Sequence, residues 1–387
     1  MQSPSTQIDE ILSTRFVPPT LVARGKQLSE LTKQTSTGRA SNYFCQGWTN
    51  TGKTATVTKA MEILTKRPNQ RCLYVKCERS LWMPFRDSVV KFVGALPFRT
   101  RPIEGLFTYC ENHEINFLHV YLDDAHMVSM YDNAVSLKFT DIAHKLYESA
   151  KAHGVKLQLV FIGSLPYITY IKFIEQLHLD DRARMQFKPI IFDNYTTEEM
   201  TTIYTDRLKL AGIHASIEAV KWVVSTVKLN AGELPMGFEI LCAGVEELLD
   251  SKAPTLTMQH VQNAFSNVKV DYWRRQLAEM DRHLSLIFTA ATIVSMNKYA
   301  KDDGPEQQIF LTGQEVAREY ERLCGLNHEK VLYAQRRNYL LRKLSIQGFL
   351  GKIGVDNETD SVRYRYELNP LTMVDTLKAM DLLPKNI

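Results

Sequence analysis

Along the first two hundred residues, short apolar runs alternate with stretches of helical pattern. Residues 43–47, 72–77, 117–123, 157–163 and 189–192 are each short and rich in β-branched or aromatic residues, with helix-like sequence around them, which predicts buried strands. Strands alternating with helices predict a mostly parallel sheet covered on both faces. After Asp193 the pattern changes. Thr196-Thr197-Glu198-Glu199 reads as a helix start, with Thr as N-cap and acids in the first turn. From there to about residue 275 only helices are predicted: 196–211, 216–228, 233–250 and 258–268. The last third is predicted to hold a helix at 284–297, one at 312–324, a turn at 325–328 and a helix at 330–347, ended by Gly348. Two strand-like runs follow, 349–355 and 362–368, joined by a polar tip.

The 387 residues are 44% hydrophobic and 23% charged, as expected for a folded chain of two or three domains. No apolar run approaches the roughly 20 residues that span a bilayer. The first residues lack the basic-then-apolar pattern of a secretory leader. The expectation is therefore an intracellular protein of the cytoplasm or nucleoid (the nucleus in a eukaryote), with no membrane partner. A net charge of +4 fits a nucleic-acid partner without requiring one. The six cysteines, at 45, 72, 77, 110, 242 and 324, form no CxxC pair, so reduced and mostly buried thiols are expected.

Candidate chemistry begins at Gly47-x-x-x-x-Gly52-Lys53-Thr54, which follows a predicted strand and precedes a predicted helix. Glycines allow successive N–H groups to point at a phosphate, and the helix N-terminus adds partial positive charge. Gly47, Asn50, Thr51, Gly52, Lys53, Thr54 and Ala55 are the expected contacts to ATP or ADP. Lys53 would reach the β and γ phosphates, and the Thr54 hydroxyl would ligate Mg2+. The strand at 117–123 ends in Asp123-Asp124. Asp123 would hold the metal through water, and Asp124 would polarise an attacking water. Asp124 is one methylene shorter than the Glu found in many ATPases, and a displacement of about 1 Å can cost on the order of a hundredfold in rate. The plain alternatives are a glycine-rich turn with an incidental lysine, and a strand end capped by solvated acids.

These residues resemble the AAA+ initiators of DNA replication, the archaeal-type origin recognition complex and Cdc-six family. Arg15-Phe16-Val17-Pro18-Pro19 with Val22, Arg24 and Leu28 resembles that family's lead-in to the phosphate loop. Asp123-Asp124-Ala125-His126 resembles its acidic motif, and Leu179-Asp180-Asp181-Arg182 its arginine-finger motif. The last hundred residues resemble its winged-helix tail. The resemblance implies an α/β fold class: a P-loop αβα core with a parallel sheet at 1–193, an all-α lid at 194–275 and a C-terminal winged-helix domain at 276–387. It implies ATP between core and lid with adenine near Phe16, Val17 and Pro18, although that segment also reads as an apolar strap over the core. It implies that Arg182 acts on a neighbour's ATP; the plain reading is a surface arginine. Double-stranded DNA at a replication origin, paralogous initiators and a replicative helicase are the implied partners.

The chain departs from the family pattern at two sensor positions. In Gly163-Ser164-Leu165-Pro166, after the fourth strand, only Ser164 is polar, and 231–237 (AGELPMG) carries no arginine. Together with Asp124 these departures predict ATP as a conformational ligand, with slow hydrolysis at most. DNA contacts are expected from Arg336, Arg337 and Arg342 on the 330–347 helix, with Leu332, Tyr339 or Leu340, and Leu344 facing inward. Lys352, Arg363 and Arg365 are expected contacts on the wing, and Arg86, Arg99 and Arg101 on an insertion after the second strand. A solvated basic face and a helix packing Phe85, Val89 and Phe92 are the plain readings. The rival function is a P-loop regulator of transposition or transcription that recruits a protein partner on DNA. A metabolic P-loop kinase would leave the lid and the winged helix without a task.

Overall fold

The computed structural model describes residues 4–33, 41–77, 81–95, 100–125, 133–164, 186–229, 234–265, 280–299, 309–346, 349–356 and 361–366, together with 268, 275, 373–374 and 377–378. Its contacts divide the chain into two units, Val17–Tyr195 and Met1–Phe16 with Thr196–Ile387.

The first unit is built on β1 (Asn42–Gly47), β2 (Gln70–Lys76), β3 (Phe117–Asp123), β4 (Lys156–Gly163) and β5 (Phe187–Phe192), in the order β2-β3-β4-β1-β5. Every pairing is parallel. Side chains alternate between the two faces along each strand. Phe44, Val120, Leu122, Leu159 and Phe161 fall on one face, in the same core as Phe85 and Val89 of α4 (Trp82–Val93) and Leu106 and Phe107 of α5 (Pro102–Asn112). Leu146 and Ala150 of α6 (Asn133–Ala152) join that core. Tyr43, Cys45, Tyr121, Val160 and Ile162 fall on the other face with Leu31 of α2 (Gly25–Thr32) and Val57 and Ala60 of α3 (Lys53–Thr65). With both faces covered, the strands read as continuous apolar runs, as a parallel sheet requires. Pro189 sits in β5, an edge strand, where a missing N–H costs no ladder bond on the open side.

In the second unit, α1 (Pro4–Leu12) packs on α7 (Thr197–Leu210) and α9 (Leu234–Ser251), with α8 (Ile217–Leu229) beside them. Thr196 caps α7 as its sequence predicts. Its hydroxyl accepts from the Glu199 N–H at 3.2 Å, and the Glu199 carboxylate accepts from the Thr196 N–H at 2.8 Å. Arg207 pins the N-terminal segment to α7: it donates to the carbonyls of Ile11 (2.5 Å) and Phe16 (2.7 Å), between the rings of Phe16 and Phe238. Burial lowers its pKa to about 10. Residues 258–265 form a further helix.

The C-terminal part has α10 (Arg282–Tyr299), α11 (Gly313–Leu326) and α12 (Ala334–Ile346), then β7 (Leu350–Asp356) and β8 (Ser361–Tyr366). A short strand, β6 (Phe310–Thr312), pairs antiparallel with β8 and completes a three-stranded sheet, β6-β8-β7. A helix pair followed by a small antiparallel sheet is the winged-helix arrangement. Two details correct the sequence reading. β6 was not expected, and the second helix begins at Ala334, not at 330, because residues 329–333 carry no regular structure. Gly348 lies outside the described residues.

Candidate functional site

The loop between β1 and α3 needs glycine at two positions for two different reasons. At Gly47 a Cβ would lie 2.3 Å from the Phe192 carbonyl oxygen and 2.8 Å from the Phe192 Cβ, because β5 runs against it. At Gly52 φ is +82°, and a Cβ would lie 2.3 Å from the Tyr195 hydroxyl. Asn50 also takes a left-handed backbone, φ 57°, which Asn tolerates better than most residues. The loop is clamped from behind by Arg24, only 4% exposed. Its Nε donates to the Thr51 carbonyl at 2.9 Å and Nη2 to the Asp193 carbonyl at 2.7 Å. Its guanidinium lies 4.0 Å from the centre of the Tyr195 ring. Sequence reasoning placed Arg24 in the lead-in without a role; its partners are up to 169 positions away.

The Lys53 ammonium turns into the loop and donates to the carbonyls of Gly47 at 2.9 Å and Trp48 at 2.5 Å. Thr54 donates from its hydroxyl to Asp123 Oδ2 at 2.9 Å, although the two residues are 69 positions apart. This contact crosses the sheet, since β4 lies between β1 and β3. Ser164, the residue after β4, therefore stands between the phosphate loop and the acidic strand end. Asp123 is 4% exposed. Its Oδ1 accepts from the Asp124 N–H at 2.9 Å, and its Oδ2 accepts a second hydroxyl, from Tyr74, at 2.6 Å. Burial, then the Asp123 charge, pushes the Tyr74 pKa up. Asp124 follows the strand with φ 54°, so the chain turns sharply there.

The donor set fits a magnesium nucleotide. An ammonium, a helix N-terminus, a hydroxyl and a buried carboxylate converge on one loop. Among the described residues no three His, Cys, Asp or Glu side chains cluster as a metal site. An ion here would take most of its ligands from phosphate and water, as Mg2+ does. Lys53 would hold the phosphates, and Thr54 with Asp123 would hold the metal.

The remaining predicted residues fall as follows. Ala55 is in the first turn of α3. Phe16 lies in the unit with α7, under Arg207, while Val17 and Pro18 open the other unit. Met236 is fully buried in α9 and so is spent on packing; 231–233, Arg182 and Arg99 lie outside the described residues. Arg86 is exposed on α4, whose Phe85 and Val89 face the core. Arg101 precedes α5, exposed, 3.8 Å from Glu104. On α12, Leu340, Leu341 and Leu344 are buried, and Arg336 and Arg342 are exposed. Arg337 is half-buried and ion-paired with Glu321 of α11. Lys352 lies in β7, and Arg363 and Arg365 lie in β8. All six cysteines are free thiols.

A phosphate loop after the fourth-ranked strand of a β2-β3-β4-β1-β5 sheet is the arrangement of the AAA+ fold, here with helices beyond the sheet and a terminal winged helix. No family model matches the chain. The chain is 22% identical over 360 residues to ORC1-type DNA replication protein 1 of Archaeoglobus fulgidus, covering 89% of this chain and 83% of the relative. The ORC1 protein of Aeropyrum pernix, solved in complex with DNA, superposes with a TM-score of 0.60 at 16% identity over 98% of each chain. The ORC2 protein of Aeropyrum pernix, solved with ADPNP and ADP, gives 0.64 at 13% identity, over 96% of this chain and 97% of that one. The structural likenesses establish the fold. The sequence relative is an ORC1-type DNA replication protein, and that is what the chain is similar to over most of its length.

Proposed function

We propose that this protein is an ATP-binding initiator of DNA replication. In this reading the chain recognises origin duplex DNA through its winged helix and through the insertion around α4. The relative named as an ORC1-type DNA replication protein, matched over 89% of the chain, carries the reading. The loop geometry supports its nucleotide half, because Thr54 at the start of α3 meets Asp123 at the end of β3 while Lys53 turns into the loop.

ATP acts as a conformational ligand. When bound, Mg2+ would neutralise phosphate charge, and the chain's own part is to hold the ligand through Lys53, Thr54 and Asp123. Hydrolysis is slow because Asp124 is short, Ser164 is the sole polar residue of 163–166, and 231–237 carries no arginine. The division into a core at 1–193, a lid at 194–275 and a winged helix at 276–387 belongs to the same proposal, as do paralogous initiators and a replicative helicase as partners.

Footprinting of the full chain on DNA from its own genome, with and without ATP, tests the reading. Protection of discrete sites is expected. Uniform coating of any duplex would favour a recruiter that uses DNA as a platform.

A further inference from the structure

Tyr74 stands outside the phosphate-loop pattern, yet its hydroxyl lies on the residue that faces the metal. We propose that Tyr74 competes with bound magnesium for the Asp123 carboxylate, and so sets how strongly nucleotide binding depends on the metal. This rests on reading the loop as a magnesium-nucleotide site.

The placement follows from strand register. β2 runs parallel to β3, with Tyr74 opposite Tyr121 and Lys76 opposite Asp123. Tyr74 and Asp123 are thus on neighbouring strands, two positions out of step, and a tyrosine side chain spans that offset. The resulting contact, 2.6 Å, is in the range of a charge-assisted O–H···O⁻ bond.

An ionised carboxylate offers roughly four acceptor positions. Among the described residues three of them are filled. Thr54 and Tyr74 both donate to Oδ2, and the Asp124 N–H donates to Oδ1. Thr54 can keep its donation while its oxygen ligates a metal, so that bond does not oppose the ion. The Tyr74 bond does oppose it. It draws charge from the carboxylate and takes a lone pair that a metal-bound water would otherwise use. Asp123 is 4% exposed, so the position that a removed donor vacates is poorly served by bulk water. Without the Tyr74 hydroxyl, the buried carboxylate gains more from a hydrated cation than it does in the natural chain.

The predicted consequence is specific. Tyr74→Phe retains the ring that packs against the core of Tyr43, Cys45 and Tyr121 and removes only the donor. Binding of a non-hydrolysable ATP analogue is measured by calorimetry with Mg2+ and with EDTA, on the full chain. The ratio of the two affinities should rise on the order of tenfold in the variant, the size of one lost hydrogen bond to a charged group. Tyr74→Met, which also lacks the donor, should shift the ratio the same way, and serves if the Phe variant fails to fold. In an Asp123→Asn background the effect should vanish. If the natural chain binds no analogue under either condition, the nucleotide-site reading itself fails. If it binds and the ratio in the variants is unchanged or smaller, Tyr74 is a packing or orienting residue and the competition is refuted.

Discussion

Tyr121 is fully buried in the central part of the parallel sheet, and its hydroxyl makes no hydrogen bond among the described residues. A buried donor without a partner costs about 1–3 kcal/mol. Tyr121→Phe should therefore leave the fold unchanged and raise stability by about 1 kcal/mol, read as a shift of the urea midpoint at constant slope. Lys53→Ala should do the opposite kind of thing: little to stability, but loss of detectable ATP binding in equilibrium dialysis. Unchanged binding in that variant would remove Lys53 from the site. The contrast also shows what the sequence could reveal at this scale. Lys53, Thr54 and Asp123 were legible because a fixed local spacing follows or ends an apolar strand. Arg24 and Tyr74 were not, because their roles come from partners 169 and 49 positions away, which only the folded sheet brings close. The two loop glycines were legible as glycines, but the reason for Gly47, the approach of β5, was not.

Among the elements, β3 carries a pH-sensitive group away from the nucleotide loop. His119 is buried between Gln158, 2.7 Å from Nδ1, and Gln70, 3.2 Å from Nε2. Gln158 donates its amide to the Ser41 carbonyl, which leaves its oxygen facing the ring. Desolvation lowers the His119 pKa to about 4. The unfolded chain takes up this proton near pH 6.5, whereas the folded chain resists it until about pH 4. The stabilisation from His119 is therefore complete above about pH 6.5 and falls as the pH drops towards 4, by roughly 3 kcal/mol in all. Urea unfolding between pH 7 and 5 should show a loss of roughly 2 kcal/mol from this group, absent in His119→Gln. A second prediction concerns α11. Thr312 and Glu315 form a capping box, with the hydroxyl accepting at 3.2 Å and the carboxylate accepting from the Thr312 N–H at 2.7 Å. Thr312→Ala should cost about 1 kcal/mol in the same assay.

The strands of the parallel sheet were legible because both of their faces are buried. The start of α12 was misplaced by four residues because 330–333 continue an apolar-and-basic pattern with no stop signal. β6, three residues long, owes its strand character to β8 alone.

For the whole molecule, the sequence separated a strand-and-helix part from a helical part at the change of pattern after Asp193. It did not place residues 1–16 with the later helices, since Arg207 binds their carbonyls through contacts invisible to pattern reading. The proposed DNA contacts also divide by exposure. Arg336 and Arg342 are open to phosphate, whereas Arg337 is engaged with Glu321. Replacing Arg336 and Arg342 together should flatten the salt dependence of log K by nearly two units, at about 0.9 per phosphate contact. Slopes that match the natural chain would move the interface elsewhere.

The central claim is that nucleotide is a ligand coupled to DNA binding and is not consumed as fuel. Coupling of this kind is reciprocal: the factor by which ATP tightens DNA must equal the factor by which DNA tightens ATP. The direct measurement is the closed cycle, with four dissociation constants for the full chain on its preferred duplex, with and without Mg-ATP, and turnover followed in parallel. The account predicts equal factors, roughly 5–150-fold, with turnover far below the enzyme median of about 10 per second. Independent binding of the two ligands, or turnover at that median, would contradict it.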